Sequence, residues 1–167
     1  MNNKATRIGV ALLFIILFVT IGWLWYGGAF KAVRVEKKDQ YNFTIYGEAY
    51  QGSLKEKTLA NLFTKYEELS DDTSLYVMVC YEGLPTKENK YTTKLYIGLN
   101  KSTLGARAQE VNWKKVYTAR HHSSYLMNKA QTSIFNTAEK DAVKLDLSQM
   151  LEVYYTQEDI RVVVPVL

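Results

Sequence analysis

The distribution of hydrophobic residues divides this chain of 167 residues into an apolar N-terminal block and a mixed remainder. Residues 8–30 read IGVALLFIILFVTIGWLWYGGAF and contain no charged residue. At about 1.5 Å per residue, a helix over residues 8–26 is roughly 28 Å long, close to the roughly 30 Å hydrocarbon core of a bilayer. The pattern therefore predicts a transmembrane helix over residues 8–28, preceded by a short flank, residues 1–7.

A cleaved secretory signal is the main alternative for this block. Such a signal has only about 7–15 apolar residues and ends at a small-residue cleavage site. Here the small residues Gly27, Gly28 and Ala29 occur without an A-x-A pattern. The aromatic residues just before them favour the headgroup boundary of a membrane. We therefore expect a retained, single-pass anchor.

Basic residues flank both ends of the block. Two precede it, Lys4 and Arg7, and four follow it closely: Lys31, Arg34, Lys37 and Lys38. Because basic residues accumulate on the cytoplasmic side of a membrane helix, this count predicts that the C-terminal domain faces the cytoplasm.

After the block, the hydrophobic period changes from two to about 3.6 and back. In YNFTIYGEAY, apolar residues at 41, 43 and 45 alternate with less apolar ones, which predicts a strand, and the preceding FKAVRVE also reads as extended. Ser53 and Glu56 have capping-box spacing, so a helix of about four turns is expected from near residue 54. Its apolar stripe is Leu59, Leu62, Phe63, Tyr66 and Leu69. The short segments SLYVMVCYEGL and KLYIGL then predict two strands.

The second part of the chain repeats this order of elements. WKKVYTARHHS predicts a strand, residues 125–138 a helix, and MLEVYYT and IRVVVPVL two further strands. We therefore predict an α+β domain over residues 30–167, built from duplicated strand-helix-strand-strand units with pseudo-twofold symmetry. The halves are about 30–100 and 108–167. Such a fold would leave a groove between the helices and the sheet, where small ligands commonly bind.

Composition and charge exclude several classes of protein. With 47% hydrophobic and 23% charged residues, the chain is too apolar to be disordered. Its 21 basic and 17 acidic residues form no basic stripe, so a nucleic-acid partner is not expected. Cys80 is the only cysteine, which excludes an intramolecular disulfide and a cysteine-rich zinc site. Its neighbours in LYVMVCY predict a buried, unreactive thiol.

Four segments together resemble a known family. They are FKAVRVEKKDQYNFTIYGEAYQGS, YVMVCYEGLP, KLYIGL and LEVYYTQEDIRVVVPV, of which the last is the most specific, with an acidic residue before an aromatic pair and a strand ending in Pro-Val. The chain resembles the GyrI-like, or AraC-type effector-binding, domain, which is related to the SOUL haem-binding fold. With its N-terminal helix it is similar to the membrane-anchored branch. GLPTKENKYTTKLYIGL departs from the family pattern, which has a longer turn with aspartate, proline and arginine.

Glu152 is the strongest candidate for a functional residue. On a strand it shares one face with Met150 and Tyr154, and both faces are largely apolar. Burial would raise its pKa or require a cationic or hydrogen-bonding partner. The alternative is a glutamate at a strand edge that faces water. The resemblance implies a groove residue that contacts cationic or aromatic ligands, and in some members a role in hydrolysing cyclopropane-containing compounds.

Tyr46, Tyr96, Tyr117 and Tyr154 are candidates for aromatic walls around this acid, because flat rings stack on planar ligands and attract cations. Each is also an ordinary residue for a strand. We expect ligand contacts from the residues that converge on Glu152.

His121 and His122 are poor metal ligands, since adjacent residues of a strand point to opposite faces and no third ligand is apparent. A haem bound as in some SOUL relatives would make one of them an axial candidate, but no haem motif is present. Phosphate-loop, Ser-His-Asp and HExxH signatures are also absent. We therefore expect no metal, no cofactor and no assigned catalytic residue.

The sequence thus predicts a membrane-anchored domain that binds an aromatic or cationic small molecule at Glu152. One alternative is a hydrolase in which Glu152 activates water against an electrophilic ligand. No second catalytic group is identifiable, so binding is favoured over catalysis. The other alternative is a membrane-tethered protein-interaction module with a vestigial groove.

Overall fold

A computed structural model describes residues 3–26, 33–70, 74–83, 92–102, 105–122, 127–156 and 159–167. The chain divides into two compact units, residues 1–32 and residues 33–167.

The first unit contains helix α1, Asn3–Tyr26. The helix begins before the predicted start at residue 8, while residues 27 and 28 of the predicted span lie outside the described residues. The side chains described in α1, Val10 and those of residues 12–25, are all exposed. Over the parts of the chain that the structure describes, no helix combines the length and the apolar character needed to cross a membrane. The transmembrane helix stays a prediction.

The second unit contains an antiparallel sheet and two helices. In chain order, the elements are β1 Val35–Lys38, β2 Tyr41–Ser53, α2 Lys57–Leu69, β3 Val77–Glu82, β4 Thr92–Leu99, β5 Arg107–Trp113, β6 Val116–His121, α3 Met127–Lys140, β7 Gln149–Thr156 and β8 Asp159–Pro165. The strand order is β1-β6-β8-β7-β3-β4-β2-β5. The predicted α+β class is confirmed.

The strand order reads the same when the two halves of the domain exchange roles. If each strand of the first half (β1 to β4) is exchanged with the corresponding strand of the second half (β5 to β8), the same order is obtained, read from the other edge of the sheet. The centre of this pattern lies between β3 and β7. Each half contributes its first strand to the other half, because β1 pairs with β6 and β5 pairs with β2. This order suits a duplication, and the superposition of the halves stays a prediction.

Strand β5, Arg107–Trp113, was not predicted from the sequence. It is an edge strand with exposed polar residues at Arg107, Glu110 and Asn112, and it has no run of apolar residues. Its inward residues, Gln109, Val111 and Trp113, alternate with more exposed residues, so the segment has a weak period-two pattern. Each half therefore begins with two strands before its helix.

Helix α2 begins at Lys57, later than predicted. Ser53 still belongs to β2, where it pairs with Thr92. The Ser53 N–H donates to Glu56 Oε1 (3.2 Å), and the Lys55 N–H donates to Ser53 Oγ (3.2 Å). The capping-box pair thus stabilises the turn that precedes the helix, and Glu56 is the residue at the helix N-cap.

The two helices cover one face of the sheet. Tyr66 of α2 is buried with Val77, Ile97 and Leu99, while partly buried Leu59, Leu62 and Phe63 pack around them. Leu69, predicted to belong to the same stripe, is 46% exposed. On the other half of the face, α3 buries Ala130, Ile134 and Ala138 against apolar residues of β6, β7 and β8. Removal of this apolar area from water is the main stabilising term.

The opposite face is enclosed because the sheet curls at Gly47 and Gly98. These residues lie directly opposite each other in β2 and β4. A Cβ atom on Gly47 would overlap the Ile97 carbonyl, and one on Gly98 would overlap the Tyr46 carbonyl. Glycine is therefore needed at both positions. The curl lets Ile45 and Trp113 pack with residues of the central strands such as Leu151.

Candidate functional site

Glu152 lies in the middle of β7, a central strand. Val79 of β3 and Val162 of β8 are its direct neighbours across the sheet, and both are buried. The glutamate is only 1% exposed. The predicted desolvated environment is therefore present, and the alternative of a water-facing glutamate at a strand edge is wrong.

Two tyrosine hydroxyls hold the Glu152 carboxylate. Tyr154 Oη donates to Oε2 at 2.6 Å, and Tyr81 Oη donates to the same oxygen at 2.9 Å. Tyr154 is two residues along the same strand, and Tyr81 lies diagonally across on β3, where it pairs with Met150. Both positions place the hydroxyl on the face of Glu152. The carboxylate and its two donors form one buried polar group.

Burial raises the pKa of Glu152, while hydrogen bonds from Tyr154 and Tyr81 oppose this shift. Burial, together with the nearby carboxylate, also raises the pKa of both tyrosines, so they remain protonated donors. No basic side chain in the described ranges forms an ion pair with Glu152. Within the same ranges its second oxygen, Oε1, accepts no hydrogen bond.

Both helices contact the residues that flank Glu152. The Phe63 ring of α2 packs edge-to-face on the Tyr154 ring, with centroids 5.0 Å apart. From α3, the Gln131 amide donates to the sulfur of Met150 at 3.3 Å. Tyr154 and Met150 stand on either side of Glu152 on the same face. The acid therefore lies where the surfaces covered by the two helices meet.

Of the four predicted tyrosines, the structure brings Tyr154 to Glu152. Tyr96 lies on the opposite face, where it pairs with Cys80 and donates to the Gly47 and Arg107 carbonyls (2.9 and 2.8 Å). Tyr117 is buried under α3, and its hydroxyl donates to Asp141 (2.7 Å).

Tyr46 lines a separate cavity at the start of β2. Tyr81 was not predicted, since its approach to Glu152 depends on the register of two strands distant in sequence.

The histidines and the cysteine show no reactive arrangement. His121 is buried at the end of β6 and His122 is exposed, as expected for adjacent residues. The described ranges contain no group of three or more side chains suited to a metal ion. Burial raises the pKa of the Cys80 thiol to about 12, so it is a protonated core residue.

No family model and no curated protein matches this sequence, but solved structures share its fold. The C-terminal domain of EcmrR has a TM-score of 0.55 and 12% identity, over 81% of this chain and 98% of that chain. A hydrolase from Listeria innocua has a TM-score of 0.53 and 8% identity, over 87% and 98%. The integron cassette protein VCH_CASS2 of Vibrio cholerae has a TM-score of 0.51 and 11% identity, over 82% and 97%. At these identities the likenesses concern the fold alone.

Proposed function

We propose that this protein is a membrane-anchored, GyrI-like domain that binds a planar aromatic cation, with Glu152 as the residue that recognises its charge. The observation that carries the proposal is a fully buried carboxylate that has two hydroxyl partners and, in the described ranges, no basic partner. Among the described residues, Glu152 is thus a buried acid without a countercharge.

A buried carboxylate without a countercharge is unfavourable, because the protein interior replaces its hydration poorly. Two tyrosine hydroxyls offset part of that cost at Oε2. A ligand cation would provide the opposite charge at Oε1, and a charge-assisted contact of this kind contributes about 1.5–3 kcal/mol. The acid therefore favours cations over neutral molecules of the same shape.

Aromatic side chains beside the acid suit a planar ligand. Tyr81 and Tyr154 present rings next to the carboxylate, and Phe63 packs against Tyr154. Aromatic faces stack on flat rings and attract cations at about 0.5–2 kcal/mol each. Opening the contact between Phe63 of α2 and Tyr154 of β7 would create a slot beside Glu152.

Binding is better supported than hydrolysis. A glutamate that activates water needs that water within hydrogen-bond reach, whereas Glu152 is 1% exposed and its bonded oxygen is already occupied. The likeness to the Listeria innocua hydrolase concerns the fold alone. A protein-interaction module would not require a buried acid, so it accounts for less of what is observed.

The anchoring part of the proposal rests on α1. Its large apolar side chains from residues 12 to 25 are exposed over the whole helix circumference, up to 72% at Phe18. A helix that is hydrophobic all round needs an apolar environment. We propose that a bilayer provides it and that residues 8–28 form the span, with the domain on the cytoplasmic side. Protease added to intact cells should leave the domain uncut, and rapid digestion would reverse the orientation.

The test is a binding titration of the full chain in a nonionic detergent with ethidium, a planar cation, and phenanthridine, its uncharged analogue. Glu152→Gln should weaken ethidium binding about tenfold to a hundredfold and leave phenanthridine binding unchanged. Glu48→Gln, an exposed acid on the same face, is the matched control and should change neither. An unchanged ethidium dissociation constant for Glu152→Gln would remove this residue from the site.

A further inference from the structure

A cavity of about 410 Å³ lies where β2 parts from β4, away from Glu152. Its described lining comes from residues 42–46, the segments around Tyr76 and Asn100, and β5, and includes neither Glu152 nor the two tyrosines bonded to it. The volume falls within the range of about 300–1,000 Å³ that is typical of ligand pockets. The cavity is thus a separate candidate for binding.

Polar side chains from two strands form one wall of this cavity. Asn42 lies opposite Asn112, and Thr44 lies opposite Glu110, in the register of β2 and β5. Directly opposite side chains are about 5 Å apart and share a face. In the described part of the chain, none of these four side chains has a hydrogen-bond partner in the protein. Four polar groups are therefore available together.

The backbone of β2 adds further polar groups. Residues 41–45 pair with β5 on one side, while pairing with β4 begins only at Tyr46. On that second side, no described strand covers residues 41–45. Amide and carbonyl groups at an uncovered strand edge need partners from solvent or from a ligand. The cavity thus has a wall rich in both donors and acceptors.

Tyr46 and Tyr76 provide aromatic surface in the same cavity. The Tyr76 ring is supported by Tyr155, with centroids 4.9 Å apart. Glu110 is the single charged side chain among the described lining residues. Amides donate and accept hydrogen bonds, a carboxylate accepts from two neighbouring hydroxyls, and a tyrosine ring packs against an apolar C–H face.

We propose that this cavity binds a small, uncharged, hydroxyl-rich ligand such as a monosaccharide or a cyclic polyol. Its hydroxyls pair with Asn42, Thr44, Glu110 and Asn112, and its ring lies against Tyr46 or Tyr76. The Glu152 site differs in its burial, since Glu152 is 1% exposed whereas Glu110 of the cavity is exposed. Binding in the cavity is independent of the function proposed for Glu152.

The experiment uses the full chain in a detergent without a sugar headgroup, with glucose, myo-inositol and maltose as probes in ligand-observed NMR titrations. At least one probe should bind, and Thr44→Val with Glu110→Gln should weaken it at least about tenfold. Glu139→Gln, an exposed acid on α3, is the matched control and should have no effect. Thermal melts establish that each variant is folded.

Three results would overturn the proposal: no binding of any of the three probes, binding that the cavity variants leave unchanged, or preferential binding of tetramethylammonium or triglycine at these residues. Glu152→Gln should keep full saccharide binding. Loss of ethidium binding with retained saccharide binding in that variant separates the two sites.

Discussion

Two glutamates on the same face of the sheet, Glu48 and Glu152, have opposite acid–base behaviour. Both lie in one row across the sheet, since Glu48 pairs with Ile97, Ile97 with Val79, and Val79 with Glu152. Both accept a tyrosine hydroxyl, Glu48 from Tyr66 at 3.1 Å. The type of hydrogen-bond donor therefore does not distinguish them.

Exposure and countercharge do distinguish them. The Glu48 side chain is 51% exposed and forms an ion pair with Lys65, and the hydrogen bond from Lys65 lowers its pKa. Glu152 is buried and has no basic partner in the described ranges, and its pKa is raised by burial. Glu48 thus belongs to an exposed ion pair, whereas Glu152 is a buried acid held by tyrosine hydroxyls.

The largest difference between the two glutamates is expected in the stability lost when their tyrosine donors are removed. Tyr81→Phe and Tyr154→Phe should each lower the free energy of unfolding by about 1–3 kcal/mol, because a buried carboxylate loses a partner. Tyr66→Phe at Glu48 should cost about 1 kcal/mol or less, since Lys65 and water remain. Urea denaturation followed by circular dichroism measures all three. Equal losses at both sites would mean that burial does not set the difference.

The pH dependence of stability should have opposite signs at the two sites. Because the folded pKa of Glu152 is raised above about 4.5, the folded state holds this proton more tightly than the unfolded state. Its contribution to stability should fall by up to about 1.4 kcal/mol per pH unit as pH rises to the folded pKa.

The folded pKa of Glu48 is lowered, so its smaller contribution is present above the unfolded value and is lost as pH falls through the folded value. The free energy of unfolding is measured as a function of pH for the wild type, Glu152→Gln and Glu48→Gln. Subtracting the curve of each variant from the wild-type curve gives the contribution of that glutamate. Two slopes of the same sign would contradict the assignment.

Ligand binding should follow the ionisation of Glu152 alone. Ethidium affinity should rise up to about tenfold per pH unit below the folded pKa of Glu152 and level off above it, because the cation pairs with the carboxylate form. Titrations of the wild type at several pH values measure this. The slope should persist in Glu48→Gln and vanish in Glu152→Gln, and a slope that survives in Glu152→Gln would assign the proton to another group.

The smallest effect is expected for the ion pair of Glu48 with Lys65. A double-mutant cycle with Glu48→Gln and Lys65→Met should give a coupling of about 0.2–1 kcal/mol that decreases in salt, as for exposed pairs. Thermal melts at low and high salt provide the measurement. A coupling well above that range would mean that the pair is shielded from water, in conflict with its exposure.

The sequence predicts local features of this site well and its long-range features poorly. Tyr154 was correctly placed beside Glu152 because residues two positions apart on a strand share a face. Tyr81 and Tyr96 could not be told apart, because strand register decides which face of the sheet a residue joins relative to Glu152. The burial of Glu152 followed from the apolar neighbours in MLEVYYT. The lack of a basic partner among the described residues could not be predicted, because it depends on which side chains the two helices place over Glu152.

The same distinction holds for the fold. Long, strongly periodic elements such as β2, α3 and β8 lie close to their predicted positions. The start of α2 was placed too early because the spacing of Ser53 and Glu56 fits either a helix cap or the turn before a helix. Strand β5 was missed because it has no run of apolar residues and even its inward positions include the polar Gln109. Both errors occur where tertiary contacts decide between locally similar alternatives.

The exchange of first strands between the halves also affects how the domain is made. On a ribosome, β1 emerges long before its partner β6, and β2 waits for β5. The N-terminal half therefore cannot complete its sheet during synthesis until the C-terminal half follows it out of the exit tunnel. Such non-local pairing is expected to give refolding in the range of milliseconds to seconds, which stopped-flow measurements on the full chain can establish.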